Sequence, residues 1–200
     1  VQIQEQAVSL PSFNIRGVTD DTSSVSSTPR ISVYQDGFDI SKKTVSSVSL
    51  YDIARVEVLK GPQPTLFGVA AANGAISIHS QLPTDEKEMK VQLGYDTQSG
   101  KEAEFMFNSP INDNHSFRIA GLYREMDGIV ENNACSDDSY YGNANMTDHL
   151  GNSVSCNSED LQGVSVQALR GTWKATYEQL EVIARASMEY NDQPGIAFKS

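Results

Sequence analysis

The sequence predicts a chain made mostly of β-strands in two parts, a small mixed α/β unit in residues 1–84 followed by antiparallel strands in residues 85–200. In the first part, short runs of β-branched and aromatic residues are separated by glycine and proline, which is typical of short strands joined by tight turns. In the second part, apolar and polar residues alternate with a period of two, which indicates strands with one apolar face. The polar stretch from Pro83 to Glu88 predicts the junction between the two parts.

The short runs of the first part each end at a turn signal. Asp36-Gly37 is a strong tight-turn dipeptide, and Gly61-Pro62 stops the longest run, because proline cannot donate a hydrogen bond to a sheet. Residues 64–72 predict a turn with one helical turn. The four predicted strands are residues 13–15, 31–34, 53–59 and 74–78.

The second part predicts five strands in a meander. Each run has about 8 to 11 residues, the length that a tilted strand needs to cross a bilayer. The links at residues 108–114 and 174–178 are short and the link at 125–162 is long, which is typical of outer-membrane barrels. A soluble β-sandwich or a lipocalin-like barrel explains the alternation equally well. The predicted apolar faces are Val91, Leu93 and Tyr95; Ala103, Phe105 and Phe107; Phe117, Ile119, Gly121 and Tyr123; Val164, Val166 and Ala168; and Leu180, Val182, Ala184, Ala186, Met188 and Tyr190.

Charge and hydropathy exclude two classes of protein. The net charge is -11 and no cluster of Lys and Arg is present, which argues against nucleic-acid binding. An acidic surface that favours solubility is the ordinary alternative explanation of that charge. No run of about 18 apolar residues occurs, so no helical membrane span is predicted.

The two cysteines, Cys135 and Cys156, flank a polar segment rich in Asn, Asp and Ser. We predict a disulfide between them that closes a long exposed loop, which requires an oxidising compartment. Zinc is not predicted, because the paired Cys-x-x-Cys spacing is missing. The acidic residues of this loop lack the spacing of a calcium-binding EF-hand, so a solvated loop is the better interpretation.

No pattern of catalytic residues is present, and we predict neither an enzyme nor a cofactor. His79, His115 and His149 lie in separate segments, without a Gly-x-Ser-x-Gly motif nearby. Residues 94–101 imitate a phosphate-binding loop, but the glycines are one residue too far apart, so we interpret this stretch as a hairpin turn.

Five short motifs in the first part occur in order over about 65 residues, at residues 13–17, 33–37, 53–63, 66–68 and 73–78. Together they closely resemble the plug domain of TonB-dependent outer-membrane receptors, and the alternating strands continue the resemblance to the end of the chain. The resemblance implies a mixed α/β plug, incomplete at its N-terminus, in residues 1–84. It also implies that residues 85–200 are the first five antiparallel strands of a transmembrane β-barrel of the 22-stranded type, and therefore a partial barrel.

The resemblance further implies a function. It predicts a receptor in the outer membrane of a Gram-negative bacterium that imports a scarce nutrient, above all an iron-siderophore or another iron chelate, with energy from the TonB complex. Outer-membrane lipid would surround the strands, and ligand specificity would lie in the loops after residues 37, 63 and 124. The TonB box, the start of the plug and the remaining strands are expected outside this chain. The competing hypothesis is a soluble β-rich ligand-binding or adhesion domain.

Site residues follow from the same resemblance. Arg16 and Lys60 stand where the family carries basic residues that pair with acidic groups on the barrel wall, and those acidic partners are expected beyond Ser200. Lys60 replaces the usual Arg, which weakens bidentate pairing with a carboxylate. The predicted plug turns contain Gly17, Asp36, Gly37, Gly61, Pro62, Gly68 and Gly74.

Overall fold

The computed structural model describes residues 2–7, 10–19, 31–41, 49–61, 73–97, 99–128 and 163–192. Within these ranges the chain forms twelve strands in three sheets and no helix. The predicted helical turn at residues 64–72 lies outside the described residues. The part of the chain that was expected to be mixed α/β is therefore built from strands wherever the structure describes it.

Two small sheets form the N-terminal part. The first is three-stranded and antiparallel, in the order β1-β2-β3, and the second is four-stranded, in the order β5-β4-β7-β6. In the four-stranded sheet, β4 and β7 run parallel and the other neighbours antiparallel. These strands are β1 (Gln2–Ala7), β2 (Leu10–Ile15), β3 (Val18–Thr19), β4 (Ile31–Gln35), β5 (Phe38–Asp39), β6 (Ile53–Lys60) and β7 (Gly74–Ser80).

Two-residue turns join β2 to β3 and β4 to β5. Arg16 and Gly17 have φ angles of +54° and +82°, and Asp36 and Gly37 have φ angles of +51° and +89°. Two successive positive φ angles define the type I′ turn, whose twist matches that of the flanking strands. The tight turn that the sequence predicts at Asp36-Gly37 is therefore a two-residue hairpin.

The N-terminal part has an apolar core of its own. Ile31 and Val33 of β4 and Ile76 and Ile78 of β7 are buried together with Ile15 of β2. Gly74 begins β7 beside this core with a φ angle of +154°. A Cβ atom at Gly74 would lie 2.6 Å from the carbonyl oxygen of Leu59. Only glycine therefore allows β6 and β7 to approach this closely.

The second part forms one five-stranded antiparallel sheet in the order β12-β11-β10-β9-β8. All five predicted runs are strands and follow one another as a meander. The strands are β8 (Glu88–Tyr95), β9 (Lys101–Asn112), β10 (His115–Met126), β11 (Val164–Tyr177) and β12 (Leu180–Asp192).

The predicted link at residues 108–114 is wrong in length, because β9 continues to Asn112 and only Asp113 and Asn114 form the turn. The sequence signal was misleading because Pro110 and the polar residues around it look like a loop. Pro110 is accommodated beside a β-bulge, where a ladder hydrogen bond is not needed. The predicted link at 174–178 is likewise shorter, since β11 extends to Tyr177.

The apolar side chains of this sheet mostly face away from the N-terminal part. Met89 is 74% exposed, Leu93 is 77% exposed and Met188 is 70% exposed. A row across the five strands shows the packing of this outer face, with the ring of Phe105 lying over Gly121, where a Cβ atom would lie 2.3 Å from the ring. That row consists of Val91, Phe105, Gly121, Leu169 and Met188.

Strand β11 departs from the expectation. The sequence predicts Val164, Val166 and Ala168 as its apolar outer face, but Val166 and Ala168 are buried on the inner face, where they pack with Tyr51 of the N-terminal part. The outer face of β11 carries Leu169 and Trp173 instead. The prediction failed because both faces of this strand carry apolar residues, so alternation does not tell which one points outward.

Candidate functional site

The N-terminal part contacts the inner face of the five-stranded sheet through a row of polar residues. The row runs in register across all five strands and consists of Glu88, Asn108, Arg118, Thr172 and Arg185. Asn108, Arg118 and Thr172 are buried. Buried polar groups are stable only when they are hydrogen-bonded, so the partners of this row show how the two parts are joined.

The strongest of these contacts is the pair of Asp52 and Arg118. Nε of Arg118 donates to Oδ2 of Asp52 at 2.8 Å, and Nη2 donates to Oδ1 at 2.6 Å. The two side chains are 12% and 8% exposed. Two parallel charge-assisted hydrogen bonds fix both distance and orientation. This bidentate pair therefore holds the start of β6 against the middle of the five-stranded sheet.

The backbone at Asp52 is shaped for this contact. Asp52 has a φ angle of +50°, which is uncommon for a residue with a side chain. Its carbonyl oxygen accepts hydrogen bonds from the Gln81 N-H at 3.0 Å and from Nη2 of Arg170 at 3.0 Å. Side chain and carbonyl thus both bind partners, which holds the left-handed conformation in place.

Arg170 lies beside this pair and binds the backbone. Its Nη2 also donates to the carbonyl oxygen of Tyr51 at 2.8 Å, and its guanidinium carbon lies 4.5 Å from the centre of the Tyr51 ring. Burial raises the pKa of the Tyr51 phenol above its ordinary value, while the positive charge of Arg170 acts in the opposite direction. The phenol therefore stays neutral at physiological pH, and the ring offers its face to the cation.

Asp36 makes the second ion pair between the two parts. Oδ2 of Asp36 lies 2.8 Å from Nη1 of Arg185. The same carboxylate accepts hydrogen bonds from the backbone N-H of Ser80 at 2.8 Å and from its hydroxyl at 2.7 Å. The carboxylate of the β4-β5 turn therefore links the end of β7 to β12.

Two polar contacts complete the interface. The fully buried amide of Asn108 accepts a hydrogen bond from the Thr84 N-H at 3.0 Å and donates to the carbonyl oxygens of Thr84 at 3.0 Å and Glu86 at 2.5 Å. The hydroxyl of Ser49 lies 3.1 Å from a carboxylate oxygen of Glu189. Asn108 thereby fixes the segment that connects the two parts of the chain.

The residues that the sequence singles out lie elsewhere. Arg16 and Lys60 are exposed, and neither forms an ion pair within the part of the chain that the structure describes. Their expected partners lie beyond Ser200, so this pairing stays a prediction. Gly61, like Gly17 and Gly37, has a positive φ angle, of +101°. Pro62, Gly68, Cys135 and Cys156 lie outside the described residues, so the disulfide also stays a prediction.

Sequence reasoning missed the residues that join the two parts. Asp36 was predicted only as a turn residue, and no role was predicted for Arg118 or Arg185. One signal was present, since β10, β11 and β12 each carry an arginine at an inner-face position, namely Arg118, Arg170 and Arg185. Three arginines facing one side of a sheet indicate acidic or carbonyl partners across from them.

One cluster on the N-terminal sheet contains the residue types of a catalytic triad. Ser77 Oγ lies 3.0 Å from Nε2 of His79, and a carboxylate oxygen of Glu57 lies 3.6 Å from the same nitrogen. A triad needs the carboxylate and the nucleophile on different nitrogens of the imidazole, so this cluster is not one. The hydrogen bond from Arg55 holds the pKa of Glu57 below its usual value.

The described residues contain no group of three or more His, Cys, Asp and Glu side chains placed to hold a metal ion. No helix that is long and apolar enough to cross a membrane occurs in those same ranges.

The N-terminal part matches a family of known proteins. Residues 1–75 match the family model of the TonB-dependent receptor plug domain. The resemblance that the five sequence motifs indicate is thereby confirmed, and the homologues are TonB-dependent receptors.

Particular relatives extend this likeness into the five-stranded sheet. The chain is 30% identical to the pesticin receptor of Yersinia pestis over 116 residues, which is 57% of this chain and 17% of the receptor. It is 32% identical to the ferrichrome outer membrane transporter/phage receptor of Escherichia coli over 76 residues, which is 37% of this chain and 10% of the transporter. The chain therefore spans less than a fifth of these relatives.

Solved structures show the same fold. The ferric yersiniabactin uptake receptor of Yersinia pestis superposes with a TM-score of 0.70 at 23% identity, over 92% of this chain and 26% of that one. The pyoverdine outer membrane receptor of Pseudomonas aeruginosa superposes with a TM-score of 0.64 at 16% identity, over 90% of this chain and 22% of that one. Both parts of this chain therefore have counterparts in receptors of this fold.

Proposed function

We propose that the complete protein is a TonB-dependent receptor in the outer membrane of a Gram-negative bacterium and that it imports an iron chelate. Residues 1–84 belong to its plug domain, and residues 85–200 are the first five strands of a transmembrane barrel of the 22-stranded type. The ranges 1–75, which match the plug family, and Glu88–Asp192, which form one meander, support this division.

The orientation of the five-stranded sheet carries the proposal. Its exposed apolar residues face away from the N-terminal part, while Arg118, Arg170 and Asn108 are buried against it. A soluble sandwich or lipocalin-like barrel places its apolar faces in the interior instead. Apolar side chains outside and polar ones inside are the arrangement of a membrane barrel around a polar lumen.

The spacing of aromatic residues on the outer face fits a bilayer. Tyr177 of β11 lies near one end of the outer face. Near the other end, Tyr123 of β10 and Tyr190 of β12 flank Gln167 of β11 in one row. The ten residues between positions 167 and 177 span about 33 Å of strand, or about 25 Å of height at a tilt of about 40°. Apolar bands of outer-membrane barrels are about 25 Å tall and bordered by aromatic residues.

The relatives indicate the class of cargo. They are receptors for ferric yersiniabactin, pyoverdine, ferrichrome and ferrioxamine, all of which are iron chelates. We propose that the loops after residues 37, 63 and 124 contact the chelate, and that the TonB complex supplies the energy for release. In the complete barrel, Arg16 and Lys60 would pair with acidic groups of later strands.

The proposal is tested in the host bacterium. Deletion of the gene is expected to abolish uptake of one radioactive iron chelate under iron limitation, and disruption of the TonB complex in the parent strain is expected to have the same effect. The protein is expected in the outer-membrane fraction, extractable only with detergent. A natural full-length protein that is soluble without detergent would support the competing soluble domain and contradict the proposal.

A further inference from the structure

The charges buried between the two parts of the chain do not balance. Three guanidiniums, those of Arg118, Arg170 and Arg185, are 8%, 4% and 20% exposed. Two carboxylates, those of Asp52 and Asp36, are 12% and 10% exposed. Among the described residues, these three positive and two negative charges leave one positive charge. Two further carboxylates, those of Glu88 at 3.7 Å from Arg118 and of Glu189 beside Ser49, belong to exposed residues and are therefore largely hydrated.

The unbalanced charge belongs to Arg170. Its nearest carboxylate oxygen, Oδ2 of Asp52, lies 3.9 Å from Nη2 and already accepts the 2.8 Å hydrogen bond from Arg118. Nη2 donates to two carbonyl oxygens, but Nε and Nη1 have no hydrogen-bond partner in the described ranges. A buried charge without a counterion is costly unless something pairs with it.

A cavity lies next to this guanidinium. It has a volume of about 310 Å³, and Arg170, Arg185, Tyr51, Ser187 and Gln35 line it together with Glu189. Arg185 uses Nη1 on Asp36 and Nε on the Thr172 hydroxyl, and its Nη2 has no partner among the residues described. The volume is enough for several waters or one small organic acid, since a water occupies about 30 Å³ in the liquid.

We infer that this cavity is a binding site for a single carboxylate, held by Arg170 and flanked by Arg185. A monoanion balances the one excess positive charge, whereas a phosphate dianion would be opposed by Asp36 and Glu189. One oxygen of a carboxylate can accept from Arg170 and the other from Arg185, because each guanidinium lines the cavity and has a nitrogen without a partner in the described ranges. The inference rests on the geometry of the interface and holds whatever the cargo is.

The carboxylate has two possible sources, an acidic side chain from another part of the protein or a free organic acid, including an acid group of a passing ligand. The test uses the complete protein in detergent and acetate as the probe. The melting temperature of the protein is measured as acetate replaces chloride at constant ionic strength. If the site binds a free acid, the melting temperature of the unsubstituted protein should rise with acetate. In Arg170→Met the apparent affinity for acetate should be at least about ten-fold weaker.

Arg124→Met is the matched control, because Arg124 lies on the inner face of the same sheet but is exposed and paired with Glu102. It is expected to keep the acetate response. Arg170→Lys keeps the charge but cannot donate to the two carbonyl oxygens and to the cavity with the same geometry, so it is expected to respond weakly.

An internal carboxylate predicts a different result. The melting temperature of the unsubstituted protein then does not respond to acetate. One Asp→Ala or Glu→Ala variant gains a response, because acetate occupies the position of the removed carboxylate. Adding Arg170→Met to that variant abolishes the response. The inference is overturned if no protein in the series responds to acetate, or if Arg170→Met responds like the unsubstituted protein.

Discussion

The two parts of this chain bury their apolar side chains in opposite ways. The N-terminal sheets place Ile15, Ile31 and Ile76 in a core of their own. The five-stranded sheet turns most of its apolar side chains outward, and its small inner cluster is completed by Tyr51 from the other part. One part therefore folds around an apolar centre, while the other is joined to it mainly through arginine, carboxylate and amide groups. The difference teaches that the interface depends on paired charges in addition to the apolar cluster around Tyr51.

The largest expected effect comes from breaking the central ion pair. Asp52→Ala leaves Arg118 buried without its counterion, which costs about 3–5 kcal/mol. In the complete protein, the N-terminal sheets should become accessible to protease at a lower urea concentration. Removing the second partner as well, in Asp52→Ala with Arg118→Met, should restore part of the loss. Asp85→Ala, at an exposed acid of the connecting segment, is the control, and an equal effect there would contradict the role of the pair.

Ile76→Ala should sharpen the contrast between the two parts. Ile76 is 4% exposed in the N-terminal core, and its truncation is expected to cost about 3 kcal/mol. Hydrogen exchange should accelerate in β4 and β7 but not in β10 and β11. Leu50→Ala, at a side chain that is 54% exposed, is the control. Equal acceleration in both sheets would show that the two parts unfold as one unit.

Leu169→Arg tests the outer face. Leu169 lies on the outer face of the five-stranded sheet, two residues inside the row that contains Tyr123 and Tyr190, and is 40% exposed. If this face contacts lipid, a charge here costs about 1–2 kcal/mol and lowers the fraction of protein folded into vesicles. Gln167→Arg, two residues nearer the end of the strand, should have a smaller effect. No loss of folding in vesicles would place this face in water.

Tyr51→Leu separates the aromatic contact from simple packing. Tyr51 is 5% exposed and lies under the Arg170 guanidinium, so loss of the ring should cost about 1–2 kcal/mol. Tyr51→Phe keeps the ring and should stay within about 0.5 kcal/mol of the parent in the same urea assay. Equal losses in both variants would assign the effect to the hydroxyl group.

The smallest effect is expected at an exposed ion pair near one end of the five-stranded sheet. The pair of Lys101 and Glu125 spans 3.8 Å with side chains 60% and 40% exposed. Water and salt screen such pairs, so Lys101→Gln should change the free energy of unfolding by less than about 0.5 kcal/mol. A change as large as that of Asp52→Ala would contradict the assignment of stability to the buried interface.

Much of the architecture could be predicted because its causes are local. The alternation at Val91, Leu93 and Tyr95 indicated a strand with one apolar face, and Asp36-Gly37 indicated a two-residue hairpin. The prediction failed at residues 108–114, where Asn108 looks like a loop residue. Its amide is buried because it binds Thr84 and Glu86, and contacts between distant segments leave no local signal.

The sequence by itself determined the five strands of the second part, their order as a meander, the tight turn at Asp36-Gly37 and the resemblance of the N-terminal part to a plug domain. These properties depend on the backbone preferences and the side-chain period of neighbouring residues. Only the tertiary structure decided that Val166 faces inward, that Asp52 pairs with Arg118 across 66 positions, and that Arg170 lacks a counterion in the described residues. Pairing and burial of charges depend on which segments meet in space, and the period of a single strand does not contain that information.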